Sequence, residues 1–458
     1  MIALMSERQY FGTDGIRGRA NVWPMTAGVA QQVAQAAAVI LKTHKTHSRV
    51  VIGKDTRLSC YMLEQAMTAG FLSMGMEVLL LGPIPTPAVA FLTKAMRADL
   101  GVMISASHNP YEDNGIKLFG SDGFKLSDAK EGEIEALMAG DMTQHLADPT
   151  EIGQAKRLSD GQGRYIEHIK SARLKHFSGG LNGLKVVVDC ANGAAYQVAP
   201  QTFWELGADV IPLSVAPNGR NINAKCGATD TQALQHAVVE HGADIGVALD
   251  GDADRLIVVD EKGAKVDGDQ LMGLLAADWK ENGHLSPPKL AATVMSNLGL
   301  ERHLKRSGIE MIRTKVGDRY VFEAMREQSI KIGGEQSGHL ILSDFSTTGD
   351  GLLAATYICT MLKLSGKLAS EMLNVFKPVP QILKNFTYDK AKGSPLDRQE
   401  VSSYLEAQAK EIEDKGGRLL VRASGTEPKI RVMAEGDDAA EVEAMVDQIV
   451  ENLQQRAA

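Results

Sequence analysis

The chain has 458 residues, 44% of them hydrophobic, with 57 acidic against 49 basic side chains and a formal charge of −8. That length exceeds a single hydrophobic core and suits three or four domains, while the apolar content excludes a largely disordered chain. The acidic balance, the lack of any long block of like charge and an aromatic content of 5% argue against a nucleic-acid binder or a base-stacking platform.

Near the N-terminus, Glu7 and Arg8 stand where a secretory signal would still need its apolar core, and FGTDGIRG (Phe11–Gly18) sets Arg17 in a glycine-rich loop. Arg49–Gly53 reads as a short β-branched strand, Leu63–Ser73 as a helix ending near Gly75, and Glu77–Leu81 as the next strand. Such alternation predicts parallel sheets covered on both faces. The most apolar windows, Phe71–Gly82 and Gly351–Leu362, fall short of the ~20 residues of a membrane span. Cys60, Cys190, Cys226 and Cys359 form no CxxC pair and fit free thiols in a reducing compartment. A soluble, cytoplasmic protein is the expectation.

Three later segments share one layout. Ala98–Val102 runs into SASHNP and GIKLFGSDG, Ala243–Val247 into DGDADR and LIVVDEKG, and Ile330–Ile332 into GGEQSGH and LILSDFS. Upstream of each, a helix stops at glycine before a strand, in SMGMEVLLL, ELGADVIPL and RSGIEMIRT. These read as three copies of one α/β unit, each presenting its loop beyond a strand's C-terminal end, where open α/β sheets bind ligands. Residues 364–400 read as a linker and an entry strand. Beyond them come a helix (Val401–Asp414), a strand (Arg418–Arg422), the loop ASGTEPK, a strand (Ile430–Glu435) and a helix (Ala440–Leu453). The expected architecture is three similar α/β domains with mixed, mostly parallel sheets over 1–155, 156–258 and 259–368, plus a smaller α+β domain over 369–458, around a central cleft.

The loops carry the chemistry. Asp250, Asp252 and Asp254 alternate directly after an apolar strand, so extended backbone turns all three to one side, where they repel unless a cation sits among them. All-oxygen ligands favour Mg²⁺, Ca²⁺ or Mn²⁺ over zinc. An EF-hand is rejected because its sixth position, which needs Gly, is Arg255. Ser105-Ala-Ser107-His-Asn-Pro110 lacks the GxSxG elbow of a hydrolase and better suits a phosphoryl acceptor beside a divalent cation. Arg422-Ala-Ser424-Gly425-Thr426 combines a guanidinium fork, two hydroxyls and an accessible backbone, as a phosphate cradle does. Gly333–His339 offers Glu335, Gln336 and Ser337 to the hydroxyls or amine of a sugar.

In this order, FGTDGIRG, ISASHNP, DGDADR, GGEQSGH and RASGTEPK closely resemble the α-D-phosphohexomutase family, and GEQSGH resembles its phosphoglucosamine mutase branch. The resemblance implies that Ser107 is a phosphoserine and that its phosphate joins Asp250, Asp252 and Asp254 around one Mg²⁺. It further implies that Glu335 and Ser337 grip sugar hydroxyls, that Arg422, Ser424, Gly425 and Thr426 hold the phosphate not being transferred, and that Arg17, Lys117 and Arg255 stabilise the moving group. Lys117 and His339 are both candidates for the general acid/base. The implied reaction interconverts glucosamine 6-phosphate and 1-phosphate through a 1,6-bisphosphate, which also primes Ser107, on the route to UDP-N-acetylglucosamine and the cell wall. Phosphomannomutase/phosphoglucomutase activity, an aspartyl-phosphate enzyme using Asp250, and a silent sugar-phosphate sensor are the alternatives. The partner expected is a small hexosamine phosphate, without nucleic acid or membrane, and a homodimer is compatible with the sequence.

Overall fold

The computed structural model describes residues 9–12, 14–42, 48–173, 175–389, 393–423 and 428–457. Within them a unit of strand, helix, strand, helix and hairpin occurs three times. The first copy runs Arg49–Lys54, Ser59–Ser73, Glu77–Pro83, Thr86–Ala95 and the hairpin Leu100–Ile104/Asp113–Gly120. The second runs Lys185–Asp189, Val198–Glu205, Asp209–Leu213, Gln232–Glu240 and Ile245–Leu249/Leu256–Asp260. The third runs Lys289–Thr293, Leu298–Arg306, Glu310–Thr314, Asp318–Glu327 and Ile332–Gly334/Leu340–Leu342. Each sheet keeps one spatial order: second hairpin strand, first hairpin strand, entry strand, then the strand after the first helix.

The alternation of strands and helices predicted parallel pairing, and the entry strand of every unit is parallel to both neighbours. Each hairpin then adds an antiparallel strand, because a connection too short for a crossover must reverse the chain. The sheets are therefore mixed. The first is widened by Gly15–Arg19, which pairs antiparallel with Asp113–Gly120 and so carries Arg17 to the hairpin side.

The glycine at each helix end shows why the units repeat. Gly75, Gly207 and Gly308 take φ of +76°, +91° and +65°, a region open to glycine. The next N–H then returns to the carbonyl five residues back, Met76 to Phe71, Ala208 to Phe203 and Ile309 to Leu304, at 3.1, 3.1 and 2.8 Å. This closes the helix and aims the chain into the neighbouring strand. A Cβ on Gly207 would lie 2.4 Å from Asn182 Oδ1. Gly207→Ala is therefore expected to destabilise the protein by about 1–3 kcal/mol. A thermal melt checks it, and an unchanged transition would contradict this account of the cap.

The apolar window at Gly351–Leu362 forms the buried part of helix Gly351–Ser365, packed in the core shared by the second and third units. Asp350 caps it by accepting from Leu353 N at 2.9 Å and from Tyr165 Oη at 2.9 Å, and burial pushes the Asp350 carboxyl up to about 7. No helix among the described residues is long and apolar enough to cross a membrane. All four cysteines are free and buried.

The stretch expected as linker and entry strand holds a short helix, Ala369–Met372, and strand Gln381–Thr387. That strand joins Lys429–Glu435 and Arg418–Ala423 in an antiparallel sheet covered by helices Gln399–Asp414 and Ala439–Ala457. This smaller α+β domain has its own apolar core around Val401, Val432, Val446 and Ile449. It docks on the third unit through Arg418, which donates to the carbonyls of Val294 and Ser296 at 2.9 and 3.2 Å.

Candidate active site

The loops of the three hairpins meet. Ser107 Oγ donates to Asp250 Oδ2 at 2.6 Å across a sequence separation of 143. Ser107 adopts φ +51°, where a residue with a side chain persists only if its surroundings hold it, and its N–H donates to Ser105 Oγ at 2.9 Å. His108 Nδ1 lies 3.3 Å from Ser107 Oγ. Burial, reinforced by Arg255 and Arg17, pushes the His108 imidazole down to about 4, so it is neutral at pH 7.

Carboxylate oxygens of Asp250, Asp252 and Asp254 lie within 4.8 Å of one another, and all three residues are buried. Burial first, then the other two carboxylates, push Asp250 up to about 7. Asp254 goes the other way: burial pushes it up, but Lys117, His339 and Arg255 together hold it well below its ordinary value. Lys117 Nζ sits 2.9 Å from Asp252, 3.3 Å from Asp254 and 3.3 Å from Asp14. Those carboxylates overcome the burial penalty and keep its ammonium charged well above the usual lysine range. Asp252 Oδ1 and Asp254 Oδ1 are buried and, among the described residues, have no hydrogen-bond partner. Unsatisfied buried carboxylate oxygens are costly, and a hard divalent cation satisfies them. The acidic trio fits Mg²⁺.

Other expected residues arrive at the same place. Arg17 bonds Asp14, whose carboxyl Lys117, Lys125 and Arg17 hold well below its ordinary range against burial. The Arg255 backbone N–H donates to Asp250 Oδ1 at 3.2 Å, while its buried side-chain Nε has no hydrogen-bond partner among the described residues. His339 lies 3.8 Å from both Asp254 Oδ1 and Asp318 Oδ2, which raise its pKa against burial. Glu335 Oε1 accepts from Gly317 N at 3.1 Å, and Ser337 is exposed. Burial pushes the Asp267 carboxyl up, and the neighbouring Gln336 side chain opposes this by favouring its ionised form.

Arg422 stands apart on the C-terminal domain and, among the described residues, makes no hydrogen bond or ion pair with this group; Ser424, Gly425 and Thr426 lie outside the described residues. Arg422 is directly opposite Arg431 in the antiparallel ladder, so two guanidiniums share one face and repel unless an anion joins them. Arg431 was not anticipated, although the alternation in KIRV places it on that face. Also unanticipated are Asp14 and Asp318, which share Lys125 between them, and Thr86, which donates to Asp252 Oδ2 at 2.5 Å. Asp14 lies inside FGTDGIRG; Lys125, Asp318 and Thr86 have no local signature.

Four models described as phosphoglucomutase/phosphomannomutase domains match the chain: alpha/beta/alpha domain I at residues 8–145, domain II at 163–263, domain III at 267–379 and the C-terminal domain at 374–452. The chain belongs to the α-D-phosphohexomutase family. It is an isomerase of that class. This phosphohexomutase is 58% identical to the phosphoglucosamine mutase of Sphingopyxis alaskensis over 96% of the chain and 98% of the relative. It is 55% identical to that of Parvibaculum lavamentivorans over 98% of the chain and 100% of the relative. The fold matches a phosphoglucomutase/phosphomannomutase family protein from Burkholderia thailandensis at TM-score 0.80 and 23% identity, covering 97% of each chain. It also matches Aspergillus fumigatus N-acetylphosphoglucosamine mutase, solved in complex with GlcNAc-6P and magnesium, at TM-score 0.68 and 18% identity over 98% of this chain and 96% of that one.

Proposed function

We propose that this phosphohexomutase interconverts glucosamine 6-phosphate and glucosamine 1-phosphate through phospho-Ser107 and a 1,6-bisphosphate intermediate. The observation that carries the reading is the Ser107 hydroxyl hydrogen-bonded into the buried acidic trio. The full-length relatives named phosphoglucosamine mutase support the choice of sugar.

A 6-phosphosugar would enter with its phosphate held by Arg422 and the 424–426 loop, and with O1 facing phospho-Ser107. The phosphoryl group passes to O1, the bisphosphate turns around, and its 6-phosphate returns to Ser107, leaving the 1-phosphate. Mg²⁺, held by Asp250, Asp252, Asp254 and the serine phosphate, would neutralise charge on the moving group. Arg17, Lys117 and Arg255 aim fixed positive charge at the same oxygens, where charge develops. Lys117 and His339, on either side of Asp254, are the two candidates for exchanging a proton with the sugar hydroxyl. Glu335 and Ser337 would orient the ring in both poses, and the part of the expected 364–400 stretch ahead of strand Gln381–Thr387 would be the hinge for closure against water. Priming by a 1,6-bisphosphate in the cytoplasm, with product supplied to UDP-N-acetylglucosamine synthesis, completes the reading.

An aspartyl-phosphate route through Asp250 is disfavoured, because one of its oxygens accepts from Ser107 and the other from Arg255 N. Isomerisation of glucosamine, glucose and mannose 6-phosphates with Mg²⁺ and a trace of bisphosphate tests the assignment. Glucosamine 6-phosphate is expected to give the highest kcat/KM. A tenfold preference for another hexose, about 1.4 kcal/mol of transition-state discrimination, would overturn it.

A further inference from the structure

We infer that Asn223 is a positioning residue for phosphoryl transfer, clamping the backbone of the Ser107 loop against the metal-binding sheet; the inference rests on reading Ser107 as the phosphoryl carrier. Asn223 Nδ2 donates to the carbonyls of Ser107 and Asn109 at 2.9 and 3.1 Å. Arg57 Nη2 donates to the same two carbonyls at 3.1 and 2.6 Å. Both carbonyls therefore have both lone pairs engaged, one by a donor from their own sheet and one by a donor from the next. Arg57 is fully buried and tied to Asp55, whose Oδ1 accepts the Arg57 N–H at 2.8 Å.

Asn223 Oδ1 is buried and, among the described residues, finds no hydrogen-bond partner. An amide that leaves its own acceptor unsatisfied is held for its donor, and flipping it would set oxygen against two carbonyls. Asn223 takes φ +57° and Ser107 φ +51°, so both ends of the clamp occupy the left-handed region. Gly251 makes room between them: a Cβ there would lie 2.5 Å from the Ser107 carbonyl and 2.9 Å from Asn223 Nδ2. With the Ser107 N–H on Ser105 Oγ and its C=O in the clamp, the direction of Oγ toward Asp250 is set before any substrate binds. Asn223 bonds the loop's backbone carbonyls, acting through Ser107.

The test uses the full chain, phosphorylated at Ser107 by glucosamine 1,6-bisphosphate, as Asn223→Ala and as Asn223→Asp, which keeps the shape but removes the donor. Single-turnover transfer to glucosamine 6-phosphate by rapid quench is expected to be about 100-fold slower in both. KM should stay within threefold and the melting temperature within a few degrees of wild type, which a purely structural role would not give. Transfer within twofold of wild type in Asn223→Ala overturns the proposal. If that variant does not fold, Asn223→Asp decides by the same threshold, and failure of both to fold also overturns it. A wild-type chain that never passes phosphate from Ser107 would instead sink the underlying reading, before any variant is compared.

Discussion

Ser107→Ala is expected to lower mutase turnover by at least about a thousandfold while leaving the fold intact. The serine oxygen is the atom through which the phosphoryl group leaves and re-enters the sugar, so its loss removes a covalent step rather than weakening one. Stability should move little. The hydroxyl donates a single hydrogen bond, to Asp250, and burial together with Asp252 and Asp254 already pushes that carboxyl up to about 7. A bond of this kind contributes about 1 kcal/mol, and the loop itself is held through its backbone by Arg57 and Asn223. An isomerisation assay run beside a thermal melt checks both halves. A variant with near-wild-type rate would end the phosphoserine mechanism.

Chelation of divalent metal is the second large effect. Dialysis against EDTA should abolish turnover and Mg²⁺ should restore it, while Asp252→Asn should lose activity by about 100-fold or more. The physical reason is the charge count in a dry pocket: three carboxylates are buried together, Lys117 pairs with only Asp252 and Asp254 of them, and two of the trio's oxygens accept no hydrogen bond among the described residues. A cation that binds only the folded chain must also stabilise it, by about 2.7 kcal/mol at a hundredfold excess over Kd. The melting temperature of the wild type should therefore rise with added Mg²⁺ and that of Asp252→Asn should not. Full activity in EDTA, or a melt indifferent to Mg²⁺, would show that the trio does not hold a metal.

The features legible in the sequence were local ones. Asp250, Asp252 and Asp254 announce themselves as three carboxylates directly after an apolar strand, but a turn gathers them rather than extended backbone: Ala253 takes φ +58° and its N–H returns to the Asp250 carbonyl at 3.0 Å. The three glycine-capped helices were visible because positive φ selects a residue type at a fixed offset, and the common sheet order decides that they are copies rather than coincidences. The mixed sheets were legible in each loop followed by a second strand, whereas the widening of the first sheet by Gly15–Arg19 was not, since it depends on where the chain returns.

The loops around Ser107, Asp250 and His339 could thus be nominated from residue types and spacing, because hydroxyl, carboxylate and imidazole carry their chemistry with them. Their convergence belongs to the tertiary structure. Asp14, Asp318, Arg57 and Asn223 look like ordinary solvated residues in the linear chain, and acquire roles only when three sheets pack and exclude water around them. Burial is what converts a lone side chain into a fixed charge or a fixed donor, and it is a property of the whole packed molecule rather than of any segment.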